Sequence, residues 1–149
     1  MESQDGEMLA YANSLWTFID VKTGRPVNVG EEQIKAYELE ERLDMNYASR
    51  KLPMPKGGET GDPFAVQKHH LDTNHHVNNC QYICMAEDFL PTEFEIYQMR
   101  AEYKMQAKLG DAICPKVKTE AEKVIVSLDD TEGKPYAIVE FQHKKQGLL

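Results

Sequence analysis

Apolar and polar residues alternate without a break from Tyr97 to Ala107. Tyr97, Met99, Ala101, Tyr103, Met105 and Ala107 fall on one side, and Gln98, Arg100, Glu102, Lys104 and Gln106 on the other. A period of two predicts a half-buried antiparallel strand whose apolar stripe is the sheet face packed on a helix. Three more strand-like runs follow, at about Ala112–Glu120, Lys123–Leu128 and Tyr136–Gln142, with Leu109-Gly-Asp111 and Asp129–Pro135 as turns. Upstream, NCQYICMAEDFL (79–90) has apolar or small residues at most positions up to Ala86 and stops before Pro91, the pattern of a helix largely surrounded by protein. FAVQKHHL (64–71) reads as a strand, and Asp72–Asn78 as a polar loop in which Asn78 can cap the helix that follows.

A helix followed by a run of antiparallel strands is an α+β arrangement in which the sheet buries its apolar face by wrapping the helix. This order matches the hotdog fold and assigns that domain to residues 64–149. The stretch 46–63 is dominated by KLPMPKGGETGDP, dense in Pro, Gly and charge, and reads as a linker that can bury almost nothing.

Residues 1–45 hold an aromatic and aliphatic run, MLAYANSLWTFIDV (8–21), predicted as a strand, then the turn Lys22–Pro26 and a short exposed helix over Glu31–Leu43. Alone these are too little for a core. Two internal matches offer an origin. Asp5-Gly6 leading into Met8–Trp16 parallels Glu132-Gly133 leading into Tyr136–Phe141, and Asp20 with Gly24-Arg-Pro26 parallels Asp129 with Gly133-Lys-Pro135. The two alignments compete, and turn chemistry by itself can produce either.

Composition narrows the function classes. A net charge of −8 gives neither part of the chain the character of a nucleic-acid binder. No window has the apolar length of a membrane span, and the acidic start MESQDGE lacks the features of a signal peptide, so a cytoplasmic protein is expected. Cys80, Cys84 and Cys114 are odd in number and lack CxxC pairing, which argues against a disulfide framework and for free, mostly buried thiols.

Four of the five histidines lie at 69, 70, 75 and 76, among Asp72, Asn74, Asn78 and Asn79. A loop that delivers Asp72, Asn74 and His76 to the N-terminus of an apolar helix combines what acyl transfer needs: a base, a group that orients it, and N–H donors for an oxyanion. His76 is the candidate base. Asp72 can orient its imidazole or activate water, Asn74 can position the attacking oxygen, and the first amides of the helix can face the developing charge. The rival is a metal site, disfavoured because His69 and His70 on a strand point to opposite faces. Cys80, near the helix N-terminus, has a nucleophile reading that is outweighed by packing. No GxSxG occurs, so α/β-hydrolase chemistry is unsupported.

HLDTNHHVNNCQYI closely resembles the stretch of the acyl-acyl carrier protein thioesterases, of the plant plastid and bacterial type, in which DxNxHVNN precedes the central helix of the C-terminal hotdog domain. SLWTFIDVKTGRPV resembles the end of that family's N-terminal hotdog domain, making residues 1–45 the terminal strand, turn and helix of a truncated first repeat. The resemblance implies that Asp72, Asn74 and His76 are catalytic, with Asn78, Asn79, Gln106 and Tyr103 at the substrate. It implies hydrolysis of fatty acyl-carrier protein to free fatty acid without a cofactor or metal. It also implies acyl carrier protein as partner, and a homo-oligomer if the first domain is missing.

There is one departure. EYKMQA places Gln106 where the family carries an acid, and an amide cannot take a proton. Strict alternation also puts Gln106 on the polar face, so a bulge is needed to turn it to the site. Two other functions therefore compete: a non-catalytic acyl-binding or structural hotdog module, and an acyl-CoA thioesterase. The stripe Tyr97–Met105 would suit an acyl-chain wall as well as a core face, and Lys104, Lys108, Lys116 and Lys118 could meet an acidic carrier.

Overall fold

Val124, Val126 and Leu128 face one way from their strand and Ile125, Ser127 and Asp129 the other, and all six are buried. A strand covered on both faces is the centre of its sheet. It lies so in the computed structural model, which describes residues 1–45 and 47–143. These divide into two compact units, Met1–Ala48 and Ser49–Leu149.

In the second unit the strands are β1 (Glu59–Thr60), β2 (Phe64–Ala65), β3 (Ile96–Tyr103), β4 (Ala112–Glu120), β5 (Lys123–Asp129) and β6 (Pro135–His143). All pairings are antiparallel, in the order β1-β4-β5-β6-β3, with β2 also on β4. Helix α2 (Asn79–Glu87) packs against β5 and β6. Its Tyr82, Met85 and Ala86 close over Val124, Val126, Leu128, Val139 and Phe141. An antiparallel sheet wrapped on one helix is the hotdog fold, α+β as expected.

The predicted strands β3 to β6 and helix α2 are present, with ends shifted by a few residues. The expected strand over 64–71 is only two residues long, because a 3-10 turn, Lys68–His70, takes over. Residue 46 of the expected linker and 144–149 of the expected domain lie outside the described residues.

Two expectations fail for physical reasons. The segment after residue 48 is not a free tether: Leu52 and Pro55 are buried, and Leu52 packs on Ile125 and Ile138 on the sheet's outer face. Its N–H donates to Glu102 Oε2 at 2.9 Å. At Gly58 the strap passes so close to β4 that a Cβ would stand 2.4 Å from the Val117 carbonyl oxygen. Pro and Gly made the segment look uncommitted, yet they let it lie flat on the sheet.

The apolar stripe of β3, in turn, meets the helix only in part: Ala101 borders the core and Tyr103 reaches Tyr82 and Asn79, while the rest lies open. Tyr97 is 71% exposed, Met99 41% and Tyr103 40%, whereas Gln98, Arg100 and Glu102 on the polar side are half-buried. α2 sits over β5 and β6, and β3 is the edge beyond them. The polar side is covered instead by ion pairs, Arg100 to Glu140 at 3.0 Å and Lys123 to Glu140 at 3.1 Å, and by the strap, whose Ser49 carbonyl accepts from Arg100.

In the first unit the expected strand over 8–21 does not form; Glu2 pairs with Met8 and Ile19 with Pro26 as isolated bridges. The expected helix shrinks to α1, Glu31–Lys35. Helices this short are marginal without a packed face, and Tyr37 and Leu39 beyond it are exposed. The turn is well made: Asp20 Oδ1 accepts from the Lys22 and Thr23 N–H groups, and Gly24 is left-handed at φ 65°. The β5–β6 turn is built alike, with Asp130 Oδ1 accepting from Glu132 and Lys134 and Gly133 at φ 79°. The same turn chemistry thus recurs, but one residue out of step with the sequence match: Asp129, aligned with Asp20, is buried at the end of β5, where it pairs with Lys116 and Ser127. No helix among the described residues is long and apolar enough to cross a membrane.

Candidate active site

The loop that carries the clustered polar residues is tied at both ends. Leu71 and Val77 pair across its base, Asp72 N–H donates to His76 O at 2.8 Å, and His75 N–H to Asp72 O at 3.1 Å. Closing so tight a loop puts His75 in the left-handed region at φ 61°. The Asp72 carboxylate braces the interior: its Oδ1 accepts from Asn74 N–H at 2.8 Å and His76 N–H at 3.3 Å. Partial burial pushes this carboxyl up, but those two amides, the Asn74 side chain and nearby His76 outweigh it and hold Asp72 below the usual carboxylate range. Asp72 is therefore an anion, with Asn74 and His76 gathered around it.

The helix start is capped as expected. Asn78 Oδ1 accepts from Cys80 N–H at 2.8 Å and its carbonyl from Gln81 N–H at 2.9 Å. The Asn79 N–H, at the same turn, meets no protein acceptor among the described residues. Asn79 O accepts from Tyr103 OH at 3.2 Å, which fastens edge strand β3 to the helix start.

Two supports were not foreseen. Ala107 O accepts from Val77 N–H at 2.9 Å, and Ala107 N–H donates to Tyr82 OH at 2.8 Å. One buried alanine so joins the loop's exit to the core of α2. A tyrosine inside an otherwise apolar helix was the available signal, because a buried phenol needs a partner. Burial raises the Tyr82 pKa, keeping it neutral.

The alternation read through Gln106 breaks earlier. β3 ends at Tyr103, and the N–H groups of Lys104 and Met105 both donate to Tyr136 O, at 2.8 and 3.2 Å. This is the irregularity that strict alternation lacked. Gln106 follows it, exposed, one residue before Ala107.

Of the remaining histidines, His70 accepts from Gln67 N–H through Nδ1 at 2.9 Å, and burial with His69 alongside lowers its pKa. Its carbonyl accepts from Asn78 N–H, so it braces the loop. His69 and His75 are exposed, and among the described residues no three ligating side chains form a metal-sized group. Lys104, Lys116 and Lys118 pair with Glu102, Asp129 and Glu120. Three of the four lysines suggested for a carrier are thereby neutralised locally.

The fold is that of a hotdog domain. Residues 55–145 match the family described as acyl-ACP thioesterase C-terminal domain, and the chain belongs to that family. No curated protein matches it.

Among solved structures, an acyl-ACP thioesterase from Bacteroides thetaiotaomicron is 19% identical with a TM-score of 0.70, over 85% of this chain and 53% of its own. A protein assigned as an oleoyl thioesterase from Lactobacillus plantarum is 22% identical with a TM-score of 0.70, over 99% and 62%. The 12:0-ACP thioesterase from Umbellularia californica is 15% identical with a TM-score of 0.68, over 85% and 52%. These likenesses establish the fold. The chain spans about half to three fifths of each of these structures.

Proposed function

We propose that the chain carries the catalytic loop of a thioesterase that hydrolyses fatty acyl-acyl carrier protein to free fatty acid and carrier protein. What supports this reading is the loop leading into α2, in which an ionised Asp72 accepts from the backbone N–H groups of Asn74 and His76 and Asn78 caps the helix that follows. In the reaction, His76 takes a proton from water as the water oxygen bonds to the thioester carbonyl carbon. The C–S bond then breaks, and the proton passes to the departing thiolate. Asp72, held ionised, stabilises the imidazolium, and Asn74 positions the water. The Asn79 N–H suits the developing oxyanion; one such donor is worth on the order of 3 kcal/mol. No cofactor or metal takes part.

Gln106 supports no proton transfer, so its role is limited to hydrogen bonding at the substrate. That residue, with the exposed stripe of β3, favours one alternative: an acyl-binding hotdog module without turnover. Purified protein should release free thiol from acyl-carrier protein, and His76→Ala and Asp72→Asn should each remove that release with folding intact. Acyl binding without release would establish the module instead. Faster release from acyl-CoA than from the carrier-linked thioester would make the chain an acyl-CoA thioesterase. A cytoplasmic setting suits a carrier-linked substrate, and the open edge of β3 suits pairing with a second copy.

A further inference from the structure

On α2, Cys80, Cys84 and Glu87 occupy the face opposite Tyr82, Met85 and Ala86, and all three are exposed. The expectation that these thiols are buried fails here; only Cys114, half-buried in β4, resembles it. The two helix thiols stand one turn apart on that face, near enough to influence each other. Burial first, then the hydrogen bond and charge of Cys80, then the Glu87 carboxylate, push the Cys84 thiol up. Cys80 also lies near Tyr103, whose phenol is bonded to Asn79.

What can two thiols in this setting bind? Positions i and i+4 on a helix hold their Cβ atoms about 5–6 Å apart, whereas a disulfide needs about 3.5–4.5 Å. A direct S–S bond would break the helix turn. A single atom between the sulfurs would not, since bonds near the zinc–thiolate length of about 2.3 Å span sulfurs up to about 4.6 Å apart. Glu87, though on the same face, does not join the two thiols in a metal-sized group of three among the described residues, so four-coordinate zinc is poorly served. An acceptor satisfied by two thiolates fits.

We propose that Cys80 and Cys84 form a chelating dithiol site for a thiophilic centre that takes two sulfur ligands, with trivalent arsenic as the representative. For an organoarsenic oxide, each thiol proton goes to the oxide oxygen. Two As–S bonds form, the As–O bond breaks and one water leaves, with no change in oxidation state. On the thioesterase reading, the bound group would stand beside Asn79 and Tyr103 and block the helix start.

The test uses phenylarsine oxide and the full chain. Intact mass should gain one phenylarsenic group, two of the three thiols should disappear from a thiol titration, and a dithiol but not a monothiol should reverse it. Cys80→Ser and Cys84→Ser should each weaken binding about 100-fold by loss of the chelate, while Cys114→Ser binds normally. Circular dichroism of each variant guards against misfolding. Unweakened binding by Cys84→Ser, or loss in Cys114→Ser, would overturn the site. None of these readouts needs thioester turnover, so an inactive chain leaves the test intact. In an active chain, loss of thiol release upon arsenical binding, restored by the dithiol, reads the blocking step separately.

Discussion

Removal of one oxygen atom from Tyr82 tests whether the Asp72–Asn78 loop is held from beneath. In Tyr82→Phe the ring stays and no cavity opens, but the buried Ala107 N–H loses its acceptor at 2.8 Å. Tyr82 is 2% exposed and Ala107 fully buried, so water cannot easily replace the phenol. An orphaned buried amide costs about 1–3 kcal/mol. For a unit of this size each kcal/mol lowers the melting temperature by about 4–8 °C. The assay is urea unfolding followed by circular dichroism, with the midpoint expected to fall and the slope to stay constant.

Tyr103→Phe is the matched control. Its hydroxyl reaches Asn79 O from an exposed edge, where solvent can take its place, so the change should stay within about 0.5 kcal/mol. Because Ala107 O also holds Val77 N–H, Tyr82→Phe should further lower kcat at temperatures where the variant is fully folded. Equal midpoints for Tyr82→Phe and the parent chain would refute the support argument.

Other perturbations reach the same fold from different sides. Leu52→Ala strips the strap from Ile125 and Ile138 and should cost about 2–3 kcal/mol by thermal melting, toward the lower end of core truncations because the strap can shift. Asn78→Ala removes the helix cap and should cost about 1 kcal/mol in the same assay, with a larger relative loss of thiol release. Stability should fall with acid in two stages, read as urea midpoints between pH 8 and pH 3. His70 has a lowered folded pKa, so the unfolded chain binds the proton first and stability drops as pH falls through about 6.5. Glu102, Glu120 and Glu140 also have lowered pKa values, and their contribution, full above the unfolded value of about 4.3, disappears as pH falls through the folded ones. Glu140→Gln should flatten the second stage and leave the first.

The order of elements was legible because each strand from β3 to β6 carries its own period and its own turn chemistry. What a period of two cannot tell is which face meets the helix and which strand is central. Tyr97 and Met99 alternate as well as any core stripe, yet they lie open because α2 rests over β5 and β6 and reaches β3 only near Tyr103. Val124–Leu128, with hardly any alternation, is the strand buried on both sides. The strap was missed for the opposite reason: a single Leu52 among Pro, Gly and charge has no period, and its burial depends on a sheet formed by residues more than 70 positions away.

The candidate site divides along the same line. Asp72, Asn74, His76 and Asn78 are close in sequence, and their mutual geometry follows from short-range rules: an Asp accepting from amides two and four residues on, and an Asn capping a helix. Such rules act before any tertiary structure exists, so the loop's local geometry could be read from its letters. Its placement could not. Val77 is anchored by Ala107, 30 positions later, and Ala107 by Tyr82, and neither alanine nor tyrosine announces that duty in sequence. If the loop were self-sufficient, Tyr82→Phe would lower stability and spare kcat. A fall in both would mean that catalysis by a local motif depends on one long-range hydrogen bond that no local pattern encodes.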